Sequence, residues 1–488
     1  MTPAETKRAK NLALALLATA QFVVILDASI VNVALPSIGR DLEFAQNNLS
    51  WVVNAYTLTF GGFLLLGGRL ADLLGRRRMF VYGMWLFALA SLAGGLAQSD
   101  VWLVAARAVQ GLGAALISPA ALAILTTTFA EGAERNKALA VWGAVAGSGG
   151  AVGVLLGGML TEWAGWEWVL FVNTPIGIAA ALIAPRLLGE SRDESSPSFD
   201  LAGAVSVTAG LALLVYTLVD ANDAGWGSTQ TLGLGALSLV LLTAFVLIEL
   251  RRRYPLIPFS IFKLRTLRGA NIIGLLLGMS LFAMFFFISL YMQQVLGYDP
   301  LKAGLAYLPL AGLIIVSAGG ASQLVARFGF KPVLIAGLLF TAAGLFWFSR
   351  VSAPGGTYVG DILFPSMLAA VGLGLSFVPV TIGSVTGTKP SEAGLASGLI
   401  NTSQQVGGAL GLAVLSTIAT NRTDDVLASG VQDRAVALTE GFQSAFFVGG
   451  VIALVGALLA AVLISTRDSR EMAEAARSGE ATPAAIAA

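Results

Sequence analysis

The chain has 488 residues, 56% of them hydrophobic and only 12% charged, against about 25% charged in an ordinary soluble domain; with a mean hydropathy of +0.81 this excludes a water-soluble fold and requires an integral membrane protein. Lys and Arg number 29 and Asp and Glu 28, a net charge of +1 that gives nucleic acid nothing to bind. With no Cys and no His, disulfides, thiolate and imidazole metal sites and Cys nucleophiles are excluded, and proton chemistry inside a membrane falls to carboxylates.

In chain order, Lys7, Arg8 and Lys10 precede an apolar run, and Ala18-Thr19-Ala20 imitates a signal-cleavage site. The apolar pattern continues to Ala34 and many spans follow, so this run is read as a retained membrane helix. It contains a carboxylate, Asp27. An acidic group at mid-helix costs about 2.5–3.5 kcal/mol on insertion scales, so Asp27 either faces protein or a water-filled space in a functional role, or lies near the helix end among headgroups. Apolar runs bounded by charge, Pro or Gly predict further spans, giving about fourteen in all: near 12–35, 49–68, 79–97, 102–125, 138–160, 169–185, 201–219, 230–249, 271–293, 302–325, 332–349, 362–386, 394–419 and 441–465. With the N-terminus taken as cytoplasmic, the outer loops hold only Arg40, Lys302, Arg350, Arg422 and Arg434, and nearly all other Lys and Arg fall inside, which places both termini in the cytoplasm. The tail from Arg467 onward is polar and Ala-rich, expected to be loosely ordered or a short helix. There is no Walker-type nucleotide loop, so the chain is read as neither enzyme nor ATP-driven pump, with no cofactor and no metal.

The loop after the second predicted span reads Gly68-Arg69-Leu70-Ala71-Asp72-Leu73-Leu74-Gly75-Arg76-Arg77-Arg78. The glycines permit close helix approach and a tight turn, and Asp72 can pair with the Arg cluster, unless that cluster is only a positive-inside anchor. This phrase resembles the loop motif G-x-L-A-D-x-x-G-R-[RK] of the major facilitator superfamily, complete from Gly68 to Arg77. A faint echo follows at one offset: Leu324, Gly329 and Lys331 stand where Leu70, Gly75 and Arg77 stand (329 − 75 = 254), with Ala326 in place of Asp72. The resemblance implies an all-α major facilitator fold: an N-terminal six-helix bundle (1–190), a linker with two inserted helices (191–261), a C-terminal six-helix bundle (262–466) and a cytoplasmic tail (467–488). Polar, breaker-rich stretches at Glu190–Ser198 and Arg251–Arg268 agree with these boundaries.

Leu26-Asp27-Ala28-Ser29-Ile30-Val31-Asn32-Val33-Ala34-Leu35-Pro36 is similar to the first-helix motif of the fourteen-helix drug:proton antiporters, with Ser29 for Thr. Arg107 to Ala115 resembles R-x-x-Q-G-x-G-A-A, in which the Arg is linked to proton transfer; otherwise Arg107 is an interfacial Arg that snorkels. Gly149, Gly153, Gly157 and Gly158 follow the antiporter motif G-x-x-x-G-P-x-x-G-G with Val154 for the Pro, and they also suit plain helix packing. Trp166-Glu167-Trp168 carries Glu167 where the family has Arg, and Asn173-Thr174-Pro175-Ile176-Gly177 looks like its N-x-P-x-G. The ninth span bears Phe282, Phe285, Phe286, Phe287 and Tyr291 before Gln293 and Gln294, faces that suit lipophilic cations or simply pack. Gly394 to Ala409 resembles the thirteenth-helix signature, with Gln404 where Arg is frequent.

The resemblance therefore implies a proton-coupled exporter of lipophilic, in part cationic, drugs or antibiotics, a monomer in the cell membrane. Asp27 and Arg107 are its expected proton-coupling pair, Gly68, Asp72, Gly75, Arg76 and Arg77 its switch loop. Asn32, Tyr56, Gln110, Phe282, Phe286, Tyr291, Gln293, Asn401 and Gln405 are the candidate substrate contacts. Glu249, Asp220 and Asp361, near predicted helix ends, are read as solvated charges. Export of an endogenous metabolite, lipid or peptide, and a non-transporting receptor, are the rival readings.

Overall fold

The structure, a computed structural model, describes residues 3–45, 48–129, 133–192, 200–252, 255, 257–353, 355–388 and 393–478. The described residues are helical almost throughout, because a chain in lipid must satisfy its backbone N–H and C=O groups within each segment. The first helices are α1 (Pro3–Asp41), α2 (Trp51–Leu74), α3 (Arg76–Gly95), α4 (Asp100–Thr128), α5 (Ala133–Trp163), the short α6 (Trp168–Phe171) and α7 (Asn173–Leu187). A hairpin of α8 (Leu201–Ala224) and α9 (Thr229–Arg251) follows. Then come α10 (Arg265–Leu290), continued by a π turn at Tyr291–Val295, α11 (Pro300–Ala306), α12 (Leu308–Phe328), α13 (Phe330–Phe348), a second π turn (Tyr358–Leu363) leading into α14 (Phe364–Val385), α15 (Ala393–Ala428), α16 (Arg434–Leu463) and α17 (Thr466–Ser478). Each predicted span lies on one of these helices or on one broken helix. Among the described residues ten helical segments are long and apolar enough to cross a membrane, eleven with the bent α2.

Five of the helix starts carry a side chain that takes one of their orphan N–H groups. Ser99 Oγ accepts from Trp102 N, Asp200 from Gly203 N, Ser228 from Thr231 N, Asp299 from Lys302 N and Asp433 from Ala435 N. Helices α1 to α7 pack as one group, with α1 on α5, α2 on α4 and α3 on both α4 and α7. Helices α10 to α16 form another, with α10 on α15 and α13 on α14. The groups meet along α2 against α15 and α5 against α11, while α8 lies against α2 and α15.

The offset seen in the loop extends into packing. Gly83 and Gly337 (337 − 83 = 254) occupy the same place on α3 and α13: a Cβ on the first would meet Leu116 Cβ at 2.9 Å, on the second the Gly372 carbonyl at 2.8 Å. A Cβ on Gly113 of α4 would touch the Phe87 backbone N, and one on Gly372 of α14 the Thr341 backbone N; the touched residues keep the offset (341 − 87 = 254), while the two glycines lie five further apart (372 − 113 = 259). The start of the tail takes the helical alternative, as α17. One expectation changes: Glu249 is buried at 3% exposure, its Oε2 accepting the Ile257 N–H at 2.8 Å because the chain after α9 folds back over it.

Candidate functional site

Asp27 sits in mid-α1 with none of its surface exposed. Its Oδ2 accepts from Arg107 Nη1 at 2.6 Å; its Oδ1 accepts from Gln110 Nε2 and from Asn173 Nδ2, each at 2.8 Å. Arg107 and Gln110 are one turn apart on α4 and therefore share a face, and Arg107 Nη1 also donates to Gln110 Oε1 at 2.8 Å. The other side of the guanidinium is used as well: Nε donates to the Val52 carbonyl at 3.1 Å, and the Tyr56 ring lies 4.4 Å away. Tyr56 is fixed by its hydroxyl, which donates to the Val24 carbonyl of α1 at 3.1 Å. Ser91 of α3 accepts from Gln110 Nε2 at 3.0 Å and donates to the Leu170 carbonyl at 2.8 Å.

Helices α1, α2, α3, α4, α6 and α7 thus enclose one charged centre, and every contact it makes lies within α1–α7. Asp27 receives only N–H donors, three of them, an environment that fits a carboxylate anion. Burial alone would make such a pair costly, so it persists because both Asp27 oxygens, Arg107 Nε and Nη1 and both polar atoms of the Gln110 amide are hydrogen-bonded. Asn173 Oδ1 is buried without a partner.

The candidate substrate residues do not gather in one place. Gln110 and Tyr56 belong to the charged centre. Asn32 and Gln293 lie where α1 meets α10: Ser289 Oγ donates to the Asn32 carbonyl at 2.7 Å and Gln293 Nε2 to the Val33 carbonyl at 2.9 Å. Phe286 stacks edge-on with Phe287, Phe282 rests against Gly408, and Tyr291 is buried with its hydroxyl donating to Ser352 O at 2.6 Å. Gln405 faces Gly61 across the α2–α15 seam, and Asn401 is exposed with Nδ2 on Ser397 O at 2.9 Å.

The glycine stripe of α5 faces α1: a Cβ on Gly149 would meet Ile25, on Gly153 Ser29 and the Leu26 carbonyl, on Gly157 the Ile30 carbonyl. Gly158 faces α11 at Pro300. In the loop, Gly68 approaches Pro119, Gly75 turns at φ +113°, Asp72 Oδ1 accepts from Arg76 Nη2 at 2.8 Å, and Arg77 donates its N–H to Glu190 Oε1 at 3.1 Å. Sequence reasoning did not place Asn173, Ser91 or Glu190; Asn173 stood in a quoted motif, but Ser91 and Glu190 carried no local signal.

The helical groups, the inserted hairpin and the buried charged centre define a multi-pass membrane transporter architecture. The model of the major facilitator superfamily matches residues 17–412, and the chain belongs to that superfamily. It is similar to the cephamycin export protein of Amycolatopsis lactamdurans, 43% identical over 92% of each chain. It is also similar to the puromycin resistance protein of Streptomyces alboniger, 39% identical over 96% of this chain and 94% of the other. The multidrug resistance protein Stp of Mycobacterium tuberculosis (strain CDC 1551 / Oshkosh) is 33% identical over 81% of this chain and 73% of its own. Among solved structures, an inward-facing bacterial homologue of the lysosomal transporter Spinster shares the fold at TM-score 0.68 and 16% identity, over 97% of this chain and 99% of that one.

Proposed function

We propose that the protein is a proton-coupled antiporter that exports lipophilic, in part cationic, drugs or antibiotics across the cell membrane, with both termini in the cytoplasm. The observation that carries this reading is the sealed Asp27–Arg107 pair: a buried carboxylate held by three N–H donors is a group whose gain of a proton removes a charge and forces its partners to rearrange. The relatives, export and resistance proteins named for cephamycin, puromycin and multiple drugs, support the direction of transport and the substrate class.

The contacts between Asn32 or Val33 and the α10 end, and between Gly158 and Pro300, close the side away from the termini. With cytoplasmic termini this closed side is the outer one, the arrangement that the cycle needs after its inward step. In the proposed cycle Asp27 takes a proton from the outer side, the neutral side chain releases Arg107 to its other partners, and the groups rock to inward-open. Proton release then admits substrate, which returns outward. The test is efflux of a lipophilic cation, ethidium, from proteoliposomes with and without an imposed pH gradient. Parent protein responds to the gradient, and Asp27→Asn loses the gradient-driven component; an unchanged response in that variant removes Asp27 from the mechanism.

A narrower second reading, export of one endogenous compound, is favoured by relatives named for a single antibiotic. Competition of a panel of unrelated lipophilic compounds against ethidium separates the two.

A further inference from the structure

The helical groups share one turn but brace it with different material. At the α2–α3 junction Gly75 adopts φ +113° and at the α12–α13 junction Gly329 adopts φ +83°. In the first, the segment following α7 closes the turn: Glu190 Oε1 accepts the Arg77 N–H at 3.1 Å, and the Ser191 carbonyl accepts the Arg76 N–H at 3.0 Å. In the second, the residue equivalent to Arg77 is Lys331 (331 − 77 = 254), and its N–H is taken at 3.0 Å by Ser469 Oγ of α17. Both glycines are held so closely that a Cβ on Gly75 would meet Glu190 Oε1 at 2.7 Å and one on Gly329 the Ser469 carbonyl at 2.5 Å. The acid of the first loop, Asp72, has Ala326 as its counterpart, so the second turn has no internal carboxylate to pair with its cations.

Helix α17 reaches further than Glu190 does. Asp468 Oδ2 accepts from Thr266 Oγ1 at 2.5 Å, and Thr266 Oγ1 accepts the Ser465 N–H at 3.3 Å, which joins the tail to the first turn of α10. Arg265 Nη2 donates to the Val462 carbonyl at 2.5 Å and Lys331 Nζ to Thr466 Oγ1 at 2.9 Å. Ser469 and Ala473 are buried and Met472 packs on the main apolar core, while the Arg467–Glu471 pair faces outward. An amphipathic helix with its small residues inward and an ion pair outward is built to dock.

We propose that α17 is a structural part of the transport unit. Ser469 is a positioning residue that holds the α12–α13 turn, and Asp468 with Thr266 ties that turn to the start of α10, so that α10 to α16 move as one rigid body. The tie stands on contacts within that group and holds whether or not the transported ion is a proton.

Because the chain has no Cys, cysteines introduced at Arg268 on α10 and Phe328 on α12, both exposed, take a nitroxide pair in the full-length protein. Double electron resonance in lipid nanodiscs gives one narrow distance population in the parent, unchanged by ethidium. The Thr266→Val/Ser469→Ala variant broadens it at least about twofold, and Thr266→Ser keeps the parental width. In proteoliposomes, with rates normalised to the amount of folded protein reconstituted, the double variant lowers maximal efflux per transporter by about threefold or more, a loss that lower expression does not produce. Parental width and efflux in the double variant overturn the proposal. Where that variant does not fold, hydrogen exchange on the parent decides: Lys331 and Ser465 amides exchange as slowly as those of mid-α13 if the tie exists, and fast exchange there overturns it. A loss of proton dependence with an intact tie would instead count against the coupling mechanism alone.

Discussion

Asp27 and Arg107 form a pair in which neither member is exposed beyond 1%. Removing one member of such a pair leaves a charge without water or a counterion, whereas replacing both with apolar groups is close to neutral. Arg107→Leu is therefore expected to cost about 3–5 kcal/mol of stability, and adding Asp27→Leu to it to recover most of that loss. Thermal unfolding of the four proteins of this cycle in detergent measures the coupling, and additive losses would mean that the two side chains do not interact. Asn173 is the second residue whose role follows from its contacts. Its Nδ2 serves the anionic Asp27 while its Oδ1 has no partner; a half-turn of the amide presents an acceptor to a protonated Asp27. One side chain can thus serve both protonation states. Asn173→Leu should fold but lower gradient-driven ethidium efflux by about tenfold, roughly the effect of one buried hydrogen bond to a charged group. Wild-type efflux in that variant would remove Asn173 from the coupling site.

At the scale of elements, the α1–α5 crossing decides how closely the Asp27 helix can be approached. Gly153 sits against Ser29 and the Leu26 carbonyl, while a Cβ on Gly150 would meet nothing within 4 Å. Gly150→Ala should be neutral or stabilise the helix by about 0.5–1 kcal/mol. Gly153→Ala should destabilise by about 1–3 kcal/mol through overpacking. Melting curves of the two variants provide the comparison, and equal behaviour would show that the close α1–α5 approach at Gly153 places no constraint. Val154 keeps α5 continuous at the place where relatives' motif has Pro, and its carbonyl is approached by Gly304 of α11. An unbroken α5 therefore carries both contacts, to α1 and to α11, on one rigid rod.

For the whole molecule, the two helical groups touch at the end away from the termini through backbone carbonyls of α1 and side chains of α10. Hydrogen bonds of this kind, about 0.5–1.5 kcal/mol each, are weak enough to part in a rocking cycle. Cysteines placed at Asn32 and Ser289 should be joined by a short thiol cross-linker in the resting protein, and an imposed proton gradient with substrate should lower the yield as that end opens. A yield indifferent to both would show that the seam stays shut during the cycle.

Membrane class, span positions and family could be read from residues in line, because each depends on local runs: apolar stretches of fixed length, Lys and Arg placement, and the phrases 26–36, 68–78 and 107–115. An acid and a base within predicted spans were legible for the same reason. Their pairing across eighty positions of chain was decided by the packing of α1 on α4, as were the gathering of Ser91 and Asn173 and the dispersal of the candidate substrate residues. Helix rotation fixes which face a side chain presents, and rotation is set by neighbours that only the folded molecule supplies. The tail is the clearest instance: Ser469 is an unremarked serine in a polar, Ala-rich stretch until the chain brings it under a glycine turn 140 residues earlier (469 − 329 = 140).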